Sequence, residues 1–114
     1  MWGHKPWEND RAADWFAGVI DDLGVAARVR TTLREALDLE DWDDESRTVR
    51  AASYLLIQLA RVYMWPINTL KDDLDLGIMG LQRVLQEDDY LDAEEMKNEV
   101  LAELNELKAR RNQL

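Results

Sequence analysis

Apolar residues recur at spacings of three and four along almost the whole chain, and no stretch alternates apolar and polar positions as a half-buried strand does. The period predicts an all-α protein. A first helix over about 10–22 places Trp15, Phe16, Val19, Ile20 and Leu23 on one stripe. Gly24 is expected to end it, as glycine commonly does at a helix C-terminus. A second helix, about 25–39, turns Val25, Val29, Leu33, Ala36 and Leu37 inward and Arg28, Arg30 and Arg34 outward. In a third, about 46–64, the run ASYLLIQLA is apolar nearly all round, which predicts a helix at the centre of a bundle. Pro66 closes it, because the ring removes a backbone donor and biases the preceding residue away from helical angles. Trp65 is expected at that corner.

A fourth helix, about 68–86, repeats Leu70, Leu74, Ile78, Leu81 and Leu85, with Thr69 and Asp72 spaced as a capping box. Gly77 and Gly80 fall inside it, each costing about 1 kcal/mol relative to alanine in a helix interior. Close approach by another helix is the expected reason. The last helix, about 93–112, follows Asp92, with Glu95 completing a second box-like start, and carries Met96, Val100, Leu104 and Leu107. Its tail, KARRNQL, is expected to fray. The expected architecture is one domain over 1–114, a bundle of about five helices with an aromatic N-terminal arm packed on it.

Charge narrows the partners. Fourteen Lys plus Arg stand against 24 Asp plus Glu, a formal charge of −10, whereas binding to phosphate backbones or anionic membranes depends on clustered cations. Neither nucleic acid nor membrane is expected as a partner; a neutral or basic protein is. The absence of cysteine removes disulfide frameworks, thiolate nucleophiles and cysteine-based metal sites, and fits a reducing compartment. The opening MWGHKPWEND has no basic end followed by an apolar run, so no secretory signal is expected. The strongly apolar run Ala51 to Ala60 is about half the roughly twenty residues of a membrane span. A cytoplasmic protein is the expectation.

The catalytic inventory is small. His4 lies in the N-terminal arm between Gly3 and Lys5 with no partner motif, and Ser46 and Ser53 lack a GxSxG context. No catalytic residue, cofactor or metal is expected. Carboxylates are the abundant resource, and Glu95, Glu99, Glu103 and Glu106 share a helix face as the metal-binding acids of all-α nucleotide pyrophosphohydrolases do. Such a site needs matching acids on a second helix, for which Asp10 and Asp14 are the nearest candidates. A solvated face explains the row more simply; a divalent-metal-dependent phosphohydrolase using Glu95, Glu99 and Glu103 is the enzymatic alternative.

In DLEDWDDE, the acids Asp38, Glu40, Asp41, Asp43, Asp44 and Glu45 surround Leu39 and Trp42, and their mutual repulsion predicts a loop. Asp41, Asp43 and Glu45 alternate as calcium ligands can, without the glycine and terminal glutamate of an EF-hand. Besides a solvated connector, the segment reads as an interaction site in which Trp42 is the aromatic anchor and the acids steer a basic partner. A second acidic run extends from Glu87 to Glu95.

Trp2, Trp7 and Trp15 crowd the beginning of the chain, where Gly3 and Pro6 suit turns and Asn9 or Asp10 a helix cap. The arm reads as an aromatic cover over the bundle, with a ligand-binding cleft beneath it as the functional alternative. Trp2-Gly3, Pro6-Trp7, Asn9-Asp10, Ala12 and Asp14-Trp15 also follow the order and spacing with which an uncharacterised bacterial family, domain of unknown function 4259, opens. The chain resembles that family over about its first fifteen residues, and more loosely at Ala51, Ala52 and the later RVLQ. The family's usual Ser-Glu-Leu and tryptophan near the C-terminus are replaced by EDDYLDAEEMKNEV. The resemblance implies a small bacterial helical protein and supplies no catalytic residue. The expected function is a noncatalytic protein-interaction module, such as an immunity-like inhibitor of a basic protein. A structural homo-oligomer using the apolar row of the last helix is a further alternative.

Overall fold

The computed structural model describes residues 10–62, 64–87 and 93–114. They form five helices, α1 (Asp10–Asp22), α2 (Val25–Asp38), α3 (Glu45–Leu59), α4 (Ile67–Val84) and α5 (Glu94–Asn112), with no strand among the described residues. None of these helices is long and apolar enough to cross a membrane.

Directions follow from which residues meet. Along α4, Gly77 faces Leu56 and Gly80 faces Val49, so α3 and α4 run antiparallel. Gly77 also faces Leu107, while Asp75 meets Arg111, so α4 and α5 are antiparallel too. Arg30 meets Asp73, and Arg83 meets Leu37, in the same order along both chains; α2 and α4 are parallel. The short connections between successive helices allow only such an up-and-down arrangement. One end of the bundle therefore gathers the C-termini of α2 and α4 with the N-termini of α3 and α5.

Leu33, Val49, Leu56, Leu74, Leu81, Val84, Val100 and Leu107 make a continuous core. α3 and α4 each touch three other helices, whereas among the described residues α1 packs on α2 alone. The centre is thus shared by two helices and not held by α3, whose Tyr54 and Leu55 remain exposed. Four helices side by side leave every one of them a solvent face. The predicted stripe of α1 is divided: Ile20 is buried and Val19 half-buried, Trp15 and Leu23 are 63% and 73% exposed, and the Phe16 side chain lies outside those described. Gly24 takes φ +64°, which ends α1 and starts α2 without a longer loop.

α3 stops at Leu59, short of the expected Met64. Ala60 leaves helical angles, and Arg61 O then accepts hydrogen bonds from the N–H groups of Met64 and Trp65, both at 3.0 Å. This turn delivers Ala60, Met64 and Trp65 into the core, with Trp65 only 3% exposed. Burial of three apolar side chains outweighs a few lost helical bonds. Pro66 stands just before α4, where a missing N–H costs nothing. The Thr69–Asp72 capping box does not form, since the helix already begins at Ile67; Thr69 Oγ1 instead donates to Pro66 O at 3.3 Å.

The glycine expectation holds. A Cβ on Gly77 would lie 2.6 Å from Leu56 Cδ1 and 3.0 Å from Leu107 Cδ1, and one on Gly80 would lie 2.8 Å from Val49 Cγ1. Bare backbone here lets α3 and α5 close on α4. The C-terminal tail is tied down, not frayed: α5 continues to Asn112, Arg110 Nη1 donates to Leu56 O at 3.1 Å, and Arg111 Nε donates to Asp75 at 2.8 Å.

Candidate functional site

The shared end of the bundle carries the acidic loop. Asp38 is the last residue of α2, Leu39 to Asp44 form the connection, and Glu45 opens α3, so the loop expectation is met within one residue. The side chains of Asp38, Glu40, Asp41, Asp43 and Asp44 are exposed, and Glu45 is half-buried. The backbone N–H of Asp43 donates to the Glu45 carboxylate, a local bond that shapes the entry to α3. Asp44 pairs with Arg47 at 3.1 Å, but both are largely in water, where such a pair contributes about 1 kcal/mol or less. Asp44 and Glu45 also face the positive N-terminal end of α3, which offsets part of their mutual repulsion.

Trp42 is tied into the fold at both its edge and its face. Its Nε1–H donates to Ala36 O at 2.8 Å, and Arg83 lies across its ring, 4.4 Å from the centroid. Half-buried against the core, the indole supports the loop from inside. Arg83 does more than cover the ring. Its Nη2 donates to Glu40 O at 2.8 Å, Nη1 reaches Leu37 O at 3.5 Å, and Nε faces Glu87 at 3.5 Å. One guanidinium thus ties the α2–α3 loop to the start of the second acidic run. Glu94 and Glu95, exposed in the first turn of α5, belong to the same end.

In the carboxylate row of α5, Glu99, Glu103 and Glu106 pair with arginines, whereas Glu95 is exposed near the start of the helix. Arg50 of α3 donates to Glu103 through Nε and Nη2, both at 2.9 Å, and to Glu99 at 3.1 Å, while Glu106 pairs with Arg110 at 3.2 Å. Asp14 is exposed on α1, which among the described residues does not pack against α5, so the two helices do not bring it to Glu95, Glu99 and Glu103. Among the described residues no three acidic or histidine side chains converge closely enough to hold a metal ion. Beside Arg50, a shallow open groove of about 340 Å³ is lined by Arg47, Ala51, Tyr54 and Glu103. Of the apolar row considered for self-association, Val100 and Leu107 are fully buried, Leu104 is 5% exposed and Met96 is half-buried.

The strongest polar feature was not legible as a site. Asp73, fully buried on α4, accepts two hydrogen bonds from Arg30 at 2.7 and 2.9 Å and a third from Trp65 Nε1 at 2.8 Å. Arg30, expected to point outward, turns between α2 and α4 and is only 21% exposed. The hydrogen bonding of Arg30 to the Asp73 carboxylate, reinforced by the charges of Asp73 and Asp72 against the opposing cost of burial, raises the Arg30 pKa above its already alkaline value. A sequence signal existed: Asp73 falls on the face of Leu70, Leu74 and Gly77, where an unpaired carboxylate could not stay. No comparable signal links Trp42 to Arg83.

Trp2, Gly3, His4, Pro6, Trp7 and Asn9 lie outside the described residues, as does Asp92, so the arm, its cleft and the Asp92 cap are not part of this geometry. Of the remaining signature residues, Asp10 is the first residue of α1, Ala12 is half-buried, and Asp14 and Trp15 are exposed on that helix. No protein-family model, curated protein or solved structure matches the chain.

Proposed function

We propose that the protein is a noncatalytic interaction module of the bacterial cytoplasm whose acidic end engages a basic protein, in the manner of an immunity-like inhibitor. The observation that carries this reading is the Arg83 tie, which sets the α2–α3 loop and Glu87 side by side at one end of the bundle. Exposed carboxylates gathered there create a negative field over that end, and such fields raise association rates by about 10- to 1,000-fold. Since attraction between exposed charges fades over roughly 8–10 Å near physiological ionic strength, binding should be salt-sensitive. The contact is made by Asp38, Glu40, Asp41, Asp43, Asp44 and Glu45, with Trp42 holding the loop in shape.

The test is capture of partners from the source cell with wild-type protein and with Asp41→Asn, Asp43→Asn and Asp44→Asn combined, eluting with rising salt. A stoichiometric basic protein that wild type retains and the triple variant releases at lower salt is the expected result. Equal retention by both proteins would remove the loop from the interface.

A further inference from the structure

Arg83 sits in surroundings that suit a guanidinium ligand. The flat cation lies 4.4 Å from the Trp42 centroid, its edge faces the carbonyl oxygens of Glu40 and Leu37, and the Glu87 carboxylate balances its charge. An aromatic face with acceptors around its rim satisfies a delocalised planar cation on both face and edge, which a compact ammonium cannot match. Yet the hold is loose. Only the Glu40 contact, at 2.8 Å, is a short hydrogen bond; the bonds to Leu37 and Glu87 are both 3.5 Å. Asp73, in contrast, grips Arg30 at 2.7 and 2.9 Å. Arg83 therefore occupies its place chiefly because α4 presents it there, at an effective concentration on the order of millimolar for a short tether.

We propose that the α2–α3 loop with Glu87 is a guanidinium receptor, closed in the free protein by the chain's own Arg83, and that an arginine of a basic partner takes Arg83's place. The proposal rests on the interaction reading and narrows its partner to one that presents arginine in preference to lysine. Displacement frees Arg83 while keeping Trp42 covered, so the loop retains its shape as its occupant changes.

The test follows the Trp42 indole N–H resonance, assigned by its loss in Trp42→Phe. In Arg83→Met, methylguanidinium should shift it saturably, and methylammonium at matched ionic strength should act at least about tenfold more weakly, as should methylguanidinium on wild type, where the tether competes. In wild type, tetra-arginine amide should move the same resonance and tetra-lysine amide should not. Should Arg83→Met fail to fold, Arg83→Lys takes its place in the first arm, since an ammonium fills the cage poorly. Equal responses to the guanidinium and ammonium probes, or no saturable response in either arm, would overturn the proposal. No partner enters this assay, so its outcome is separable from that of the capture experiment.

Discussion

Arg30 on α2 and Asp73 on α4 meet edge to edge, Nε on Oδ1 at 2.7 Å and Nη2 on Oδ2 at 2.9 Å, with the carboxylate fully buried. Trp65 donates to the same carboxylate, so one buried acid joins α2, α4 and the turn between α3 and α4. Replacing a buried ion pair by apolar groups is often neutral, whereas removing one partner strands a charge.

Asp73→Ala should therefore destabilise the protein by about 3 kcal/mol, and Arg30→Met combined with Asp73→Leu should recover most of that loss. Urea unfolding of the single and double variants measures both. Because pairing raises the Arg30 pKa, its contribution is fully present below the unfolded value and is lost only as pH rises through the higher folded value. The cost of Arg30→Met should be unchanged from roughly pH 6 to pH 10; a decline within that range would contradict this assignment.

The glycines of α1 and α4 should respond to alanine with opposite signs. At Gly18 a Cβ meets nothing within 4 Å, so Gly18→Ala should stabilise by about 0.5–1 kcal/mol through helix propensity. At Gly77 the same gain is opposed by overpacking against two fully buried leucines, leaving a net loss of about 1–2 kcal/mol. Thermal melts of the two variants should move in opposite directions.

Ser53 lies fully buried on α3, and its hydroxyl has no hydrogen-bond partner among the described residues. An unsatisfied buried polar group costs about 1–3 kcal/mol, and alanine is the better helix former. Ser53→Ala should raise stability by about 1 kcal/mol, read from the urea midpoint. A midpoint that falls would show that the hydroxyl is satisfied in solution.

The end of α5 should behave as part of the folded unit. Arg110 caps the Leu56 carbonyl near the end of α3 and Arg111 reaches Asp75 on α4. Arg110→Ala should cost about 1.5–3 kcal/mol, the usual scale for a hydrogen bond to a charged group. Amide exchange at Leu107 and Lys108 should be protected in wild type and faster in a chain shortened before Arg110; equal exchange would show that the tail contributes nothing.

The periodic apolar positions determine five helices and the core face of four of them, because burial of a stripe is a local pattern that no partner needs to specify. Gly24, Pro66 and the acidic segment mark boundaries for equally local reasons: backbone angles, a missing donor and charge repulsion. Gly77 and Gly80 even announce the close approach of neighbouring helices. Charged residues are another matter. Arg30, Arg50, Arg83 and Arg110 have long, adaptable side chains that reach either water or a distant acceptor, and helical spacing does not say which. Their choices rest on groups 43 to 54 positions away in sequence. The early end of α3 has the same origin, since Trp65 turns inward only where Asp73 is waiting to accept its N–H. Local patterning says where apolar surface must be hidden; contacts between distant segments settle which charges are spent inside the fold and which remain exposed at its acidic end.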